Sequence, residues 1–347
     1  MIASVAFRNF KALRSTQIAL SPFTLIIGPN GSGKTSLIQA GMRLRTLARL
    51  PLREPAPAPA DLRDDAPEII FRFDPPHSGL EAILTCSTDN VCDLLEVRPL
   101  LTGEGADDWA GLRERLLGMR SYLFDHAAMS APAAATDHGE LAGDGHNLAA
   151  VLARRAAEHP AAWTALRGEF LRIFTEYEDI ETADNDDGHT VLLRFRVRDE
   201  PGWITAEDVS QGTLYALGIL TLAWNPEPPS LVCVEELDRG IHPRLLRELR
   251  DALYQLSYPP PPVAGGGADF AAGRRATQVI ATTHSPYLLD LFREHPEEVV
   301  IAEKHGRAAH FFRLSDRTDL AELLTGASLG DLWYSGILGG VPEERES

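Results

Sequence analysis

Two kinds of apolar pattern run along this chain. Phe23-Thr24-Leu25-Ile26-Ile27, Leu231–Val234 and Gln278–Ala281 are short and almost unbroken, the pattern of strands covered on both faces in a parallel sheet. Ile2–Phe7, Gln17–Leu20, Glu68–Phe73, Leu80–Thr85 and Val91–Val97 predict further short strands. Thr190–Asp199 alternates Leu193, Phe195 and Val197 with Arg194, Arg196 and Arg198, a half-buried strand with one cationic face. Helical spacing links Leu37, Gly41, Leu44 and Ala48 through about Leu50, and helices are also expected over Trp109–Leu117 and Leu148–Phe174. Gly212–Ala223 is apolar nearly all round and suits a buried helix.

Breaks in these patterns suggest the organisation. Pro51–Pro67 is rich in Pro and Ala, Ser130–Gly145 in Ala, Gly and Asp, and Pro259–Arg275 in Pro and then Gly, so each reads as loose connecting chain. The expected domains are one α/β body formed by 1–50 and 200–347, an inserted α+β lobe at 68–199, and flexible linkers at 51–67 and 258–275. No heptad pattern persists long enough for a coiled coil.

Composition narrows the setting. A content of 44% hydrophobic residues supports a real core, and a formal charge of −17 opposes a surface that is basic all over. DNA contact would need a local patch, and the arginine stripe is by default a solvated face against local carboxylates. Cys86, Cys92 and Cys233 are odd in number and form no C-x-x-C pair, which points to a reducing compartment. No apolar run approaches the ~20 residues of a membrane span, and the N-terminus lacks a signal-peptide core. The expectation is a cytoplasmic protein without membrane insertion.

The candidate chemistry begins with charge usage. Only three lysines stand against thirty arginines, and one of them is Lys34 in Gly28-Pro29-Asn30-Gly31-Ser32-Gly33-Lys34-Thr35. The run fits Gly-x-x-x-x-Gly-Lys-Ser/Thr and follows a buried strand, as a phosphate-binding loop does. Backbone N–H groups from Asn30 to Ser36 would turn inward around phosphates, Lys34 would neutralise the β/γ oxygens, and the Thr35 hydroxyl would hold Mg²⁺.

A phosphate loop alone does not separate kinase, GTPase and ATPase. Downstream, Leu231-Val232-Cys233-Val234-Glu235-Glu236 is an apolar strand ending in two carboxylates. Glu235 is assigned to the Mg²⁺ shell, directly or through water, and Glu236 to the base that polarises attacking water. Gln278-Val279-Ile280-Ala281-Thr282-Thr283-His284-Ser285-Pro286 is a second buried strand ending in a polar turn, with His284 placed to touch a γ-phosphate.

With these residues in hand, the chain resembles the prokaryotic AAA-type predicted ATPases with ABC-like heads, relatives of the RecF, SMC and OLD ATPases and of AbiEii-toxin-like AAA domains. The likeness rests on Phe7-Arg8-Asn9-Phe10-Lys11, the phosphate loop, Ser210-Gln211-Gly212-Thr213, Glu235 through Pro243, and Thr282-Thr283-His284-Ser285-Pro286. Weaker similarity covers Asp144-Gly145-His146-Asn147-Leu148-Ala149 and Ser328-Leu329-Gly330-Asp331-Leu332-Trp333. It implies an α/β P-loop NTPase of ABC-head type that hydrolyses ATP to ADP and phosphate with Mg²⁺. Two heads would form an ATP-sandwiched homodimer, with Ser210 and Gly212 capping the γ-phosphate held by the other subunit and Asp238 in the loop between subunits. Relatives couple this cycle to DNA repair, phage defence or toxin systems, often with a nuclease or toxin partner.

Three departures stand out. Glu235 replaces the more familiar Asp, Leu237 stands where relatives often have Pro, and no Gln lies between Gln39 and Gln211, so the Q-loop glutamine has no counterpart. Two rival readings stay open: a transporter's ATP-binding subunit, and a non-catalytic scaffold gated by nucleotide.

Overall fold

The computed structural model describes residues 1–52, 66–88, 90–100, 106–261, 274–306 and 308–339. Most of the two expected linkers, 51–67 and 258–275, lies outside the described residues. The chain forms two compact units: one made of Met1–Ser121, Pro229–Glu235 and Gln278–Ser347, the other of Tyr122–Pro228 and Glu236–Thr277. The stretch 68–199, expected as a single lobe, is thus divided between them at Ser121.

The first unit holds β1 (Ile2–Phe10), β2 (Leu13–Ala19), β3 (Phe23–Ile27), α1 (Lys34–Ala48), β4 (Glu68–Phe73), β5 (Leu80–Thr88), β6 (Val91–Pro99), α2 (Ala106–Leu117) and β7 (Met119–Tyr122, shared with the second unit at Tyr122). Its α/β core is a six-stranded sheet that runs β15-β14-β3-β13-β12-β7. Here β12 is Leu231–Val234, β13 Gln278–Thr283, β14 Val299–His305 and β15 Ala308–Arg313. The unbroken apolar runs become its parallel centre: β3 pairs in parallel with β13 and β14, and β13 with β12. All five residues of β3 and all four of β12 are buried, which is why neither alternates.

A second, antiparallel sheet runs β2-β1-β4-β5-β6. It joins 68–99 to the N-terminal strands because Ser4 through Arg8 of β1 pair with Arg72 through Glu68 of β4. Phe7, Phe10, Leu13, Phe71 and Leu84 from this sheet share one core with Leu37, Ile38 and Leu44 of α1 and Ile26 of β3. Gln278 is fully buried and clamps the N-terminal strand, accepting from Ile2 N at 2.9 Å and donating to Ile2 O at 2.8 Å.

The second unit holds α3 (His126–Ser130), β8 (Ala133–Ala134), α4 (Leu148–Glu158), α5 (Pro160–Ile173), β9 (Tyr177–Asp184), β10 (Thr190–Val197), β11 (Ile204–Thr205), α6 (Gln211–Ala223) and α7 (Leu246–Ser257). In its sheet β10 lies between β11 and β8 and also pairs with β9. Phe170, Phe174, Tyr177 and Phe195 form its aromatic core, with Phe170 and Phe174 stacked at 4.9 Å between ring centroids.

Four expectations change. The helix over Leu148–Phe174 is two helices, because Pro160 lacks an N–H and drives His159 out of helical geometry (φ −131°, ψ 60°). Ser130–Gly145 is tied down: Asn147 Oδ1 accepts from Ala142 N at 2.8 Å, its Nδ2 donates to Glu140 O at 2.9 Å, and His146 bonds both Asp144 and Asp137. The cysteine argument for a reducing compartment loses two of its three thiols, since the β5–β6 pairing places Cys86 opposite Cys92 and a disulfide joins them. Cys233 alone is free, and burial, with Glu235 nearby, pushes its thiol well above the ordinary range. Gly212–Ala223 begins one residue earlier and is buried from Gly212 to Ala223.

The arginine stripe of β10 keeps its default meaning. Arg194 pairs with Glu181 and Arg196 with Glu178 (3.3 Å) on β9, and Arg198 Nε donates to Thr175 O at 2.9 Å. Among the described residues, no helix is long and apolar enough to cross a membrane.

Candidate nucleotide site

The parallel pairing of β3, β13 and β12 brings three chain segments to one sheet edge. Ile27 lies opposite Thr283, and Val234 opposite Ala281, so the next residues, Gly28, His284 and Glu235, all leave the sheet at its carboxyl end. That edge is where open α/β sheets bind ligands.

Between β3 and α1 the loop turns tightly around itself. Gly31 (φ +75°) and Gly33 (φ +93°) adopt left-handed backbone that side chains resist, and a Cβ on Gly33 would come within 2.9 Å of Leu13. A Cβ on Gly28 would lie 2.3 Å from Ala302 O on β14, so the loop is also seated flush against the sheet. α1 starts with no side-chain cap and no acid in its first turn, which leaves its positive end available to an anion. Ser32 Oγ is buried in the loop without a hydrogen-bond partner. These are the features a phosphate chain would fit.

Lys34 is buried and its ammonium is folded back into the loop, donating to Gly28 O at 2.7 Å and Pro29 O at 2.9 Å. The adjacent Thr35 Oγ1 donates to Glu235 Oε2 at 2.8 Å. Two hard oxygen ligands therefore meet at the loop's exit, a donor set suited to Mg²⁺. Asn30 sits exposed at the loop tip, and Ser36 follows Thr35 on the first turn of α1.

The His284 turn is built by its neighbours. Thr283 Oγ1 accepts from Ser285 N at 2.9 Å, Ser285 caps α8 (Pro286–Asp290) by accepting from Leu288 N, and Pro286 occupies the first helical turn. Near the end of the described chain, the short α9 (Leu320–Gly326) precedes α10 (Leu329–Tyr334), which opens with a Ser328–Asp331 capping box. Gly330 N donates to Asp290 Oδ1 at 2.6 Å, and a Cβ there would lie 2.8 Å from Pro286 O. The Ser328–Trp333 motif thus supports the helix that follows His284, which itself stands exposed.

Glu236 follows Glu235 but belongs to the second unit. It is exposed, holds a left-handed backbone (φ +51°) and faces Arg239 Nε at 3.7 Å. A non-glycine residue at such a φ is uncommon and gathers at functional turns. In the same unit Ser210 caps α6, accepting from Thr213 N at 3.2 Å. Gly212 packs against the 236–241 turn, for a Cβ there would meet Gly240 O at 2.3 Å. Its lack of a side chain therefore has a reason within the chain. Asp238 lies in that turn, where its carbonyl accepts from Ile241 N. His242 and Pro243 open a single turn, Pro243–Leu245, that leads into α7.

One residue escaped the sequence reading. Lys304, on β14, places Nζ 3.5 Å from where a Cβ on Gly31 would stand, against the tip of the phosphate loop. The signal was present in the scarcity of lysine, which was applied to Lys34 alone. Lys11, the remaining lysine, donates to Gln39 Oε1 at 2.7 Å, one helical turn beyond Thr35.

Comparisons with known proteins bear on this geometry. A family model described as "AAA domain, putative AbiEii toxin, Type IV TA system" matches residues 130–290, and one described as "AAA ATPase domain" matches residues 1–44. No curated protein matches the chain. Among solved structures, an SMC head bound to the C-winged helix domain of ScpA aligns at a TM-score of 0.56 and 12% identity, over 90% of this chain and 96% of that one. An Smc head with a coiled coil and joint from Pyrococcus yayanosii aligns at 0.52 and 10%, over 94% and 99%. An Smc head with an extended coiled coil from Pyrococcus furiosus, bound to the C-terminal domain of ScpA, aligns at 0.51 and 11%, over 93% and 99%. ATPase-domain models thus match residues 1–44 and 130–290, and the chain shares its fold with SMC heads.

Proposed function

We propose that this chain binds Mg-ATP at the carboxyl edge of β3, β12 and β13, hydrolyses it to ADP and phosphate, and closes with a second copy around the nucleotide. The observation that carries the reading is the bond between Thr35 and Glu235, which ties the phosphate loop to the strand-end carboxylate. Lys34 exchanges its loop carbonyls for β/γ oxygens, and the loop N–H groups and the start of α1 hold the remaining phosphate charge. Thr35 and, directly or through water, Glu235 would hold Mg²⁺, which would supply charge neutralisation at the phosphates.

Glu236 accepts a proton from the attacking water as the bond between the γ-phosphorus and the ADP oxygen breaks. His284 contacts the γ-phosphate from the end of β13. Ser210 and the start of α6 offer a capped, positively polarised helix end to the γ-phosphate of the partner copy. The family model's description favours a place in a toxin–antitoxin system as the setting for this cycle.

Light scattering of Glu236→Gln with and without Mg-ATP tests the closing step. A shift from monomer to dimer only with nucleotide is expected. An unchanged mass with nucleotide demonstrably bound contradicts the sandwich. Wild-type protein that binds ATP without turning it over favours a nucleotide-gated scaffold.

A further inference from the structure

Within the second unit a cavity of about 230 Å³ lies between α4, the start of α5 and the end of α6, and Arg155 lines it. Arg155 is 5% exposed. Its Nη1 donates to Thr221 O at 2.8 Å, and among the described residues its side chain forms no ion pair and no other hydrogen bond. A guanidinium carries five N–H donors, so most of this fork has no acceptor among the described residues. Burial lowers its pKa to about 10, with no acidic neighbour acting against that, so the group stays charged at neutral pH. A buried cation without a counter-charge is costly, and such groups are normally paired.

Capping of α6 does not account for it. Arg274 already serves that helix end, donating to Ala223 O at 2.9 Å and Asn225 O at 3.1 Å. The rest of the lining is rich in donors: His138, Arg154, His159 and Asn225. His159 is at once the C-cap of α4 and the N-cap of α5, so the two helix ends offset each other there, and Arg154 is paired with Glu158 at 2.7 Å, which leaves the positive charge of the lining to Arg155. Glu140 and Glu227 line the cavity too, but both are exposed and neither pairs with Arg155.

We infer that this cavity is an anion site, separate from the nucleotide loop, in which Arg155 binds a tetrahedral oxyanion of the phosphate class. The planar fork suits two oxygens of such an ion, and the volume admits phosphate with a few waters.

The test is calorimetric titration of inorganic phosphate into the full chain carrying Lys34→Ala, which disables the phosphate loop. One saturable site is expected, weakened at least about tenfold by Arg155→Met. Val151→Phe, which fills the cavity while keeping the arginine, should abolish binding and decides the matter if the Arg155 variant does not fold. The same titration with AMP separates two sources, both consistent with the site: tighter binding than phosphate identifies a phosphate monoester, weaker binding the free ion. Absence of saturable phosphate and AMP binding in the Lys34→Ala protein, or an affinity untouched in whichever of the two cavity variants folds, overturns the inference.

Discussion

Thr35 Oγ1 and Glu235 Oε2 lie 2.8 Å apart although 200 residues separate them in the chain. The contact exists because β3 and β12 flank β13 in parallel, so the loop after one and the carboxylate after the other leave the sheet together. Replacing Thr35 by Ala or Glu235 by Gln should therefore weaken Mg²⁺ dependence in the same way. Each change is expected to lower kcat about 10²-fold or more, and the double variant should lose little beyond either single one, because both act on one ion. Steady-state phosphate release across a Mg²⁺ titration reads this out.

Gly33 combines a φ of +93° with only 2.9 Å of room before Leu13. Gly33→Ala should cost about 1–3 kcal/mol of stability and remove nucleotide binding, since the loop must unwind to relieve both strains. Denaturant unfolding alongside ATP titration measures the two effects.

Lys304 is exposed, and its ammonium stands at the phosphate loop by Gly31. Lys304→Ala is expected to weaken ATP binding about 3–10-fold at low salt, and less at high salt, while leaving the unfolding midpoint unchanged. Affinity measured at two ionic strengths distinguishes this long-range charge effect from a loss of packing.

His146 contacts Asp144 at 2.7 Å and Asp137 at 3.0 Å, and the hydrogen bond to Asp144 is the main cause that raises its pKa above 6.5. The folded value lies above the unfolded one, so this stabilisation is fully present below about pH 6.5 and is lost as pH rises through the raised value. Half of the side chain is exposed, which keeps the effect small. Unfolding midpoints at pH 6 and 8 should show a decline in the wild type beyond that of His146→Gln.

Three strands of the six-stranded sheet, β3, β12 and β13, and the places along the chain where the candidate site residues follow them were legible in the sequence. Residues Phe23–Ile27 and Leu231–Val234 matched their strands because burial on both faces leaves an unbroken apolar run. The Gly28–Thr35 loop was readable because its backbone geometry requires glycine at fixed places. Long-range partnerships were not. Nothing local indicates that 68–99 pairs with the N-terminal strands or that Lys304 reaches Gly31, because each depends on pairing between distant segments, whereas the Cys86–Cys92 bond is local and follows from the register of one hairpin. The break at His159 was local and readable, since Pro160 announces it.

The account rests most heavily on ATP turnover by this edge, with Glu236 as the base. Phosphate release by wild type and Glu236→Gln, with ATP affinity measured on both, tests it directly. Wild-type turnover at least about a hundredfold faster than the variant, at similar affinity, is the predicted result. Equal turnover by the two proteins, or none by a wild type that binds Mg-ATP, would contradict it.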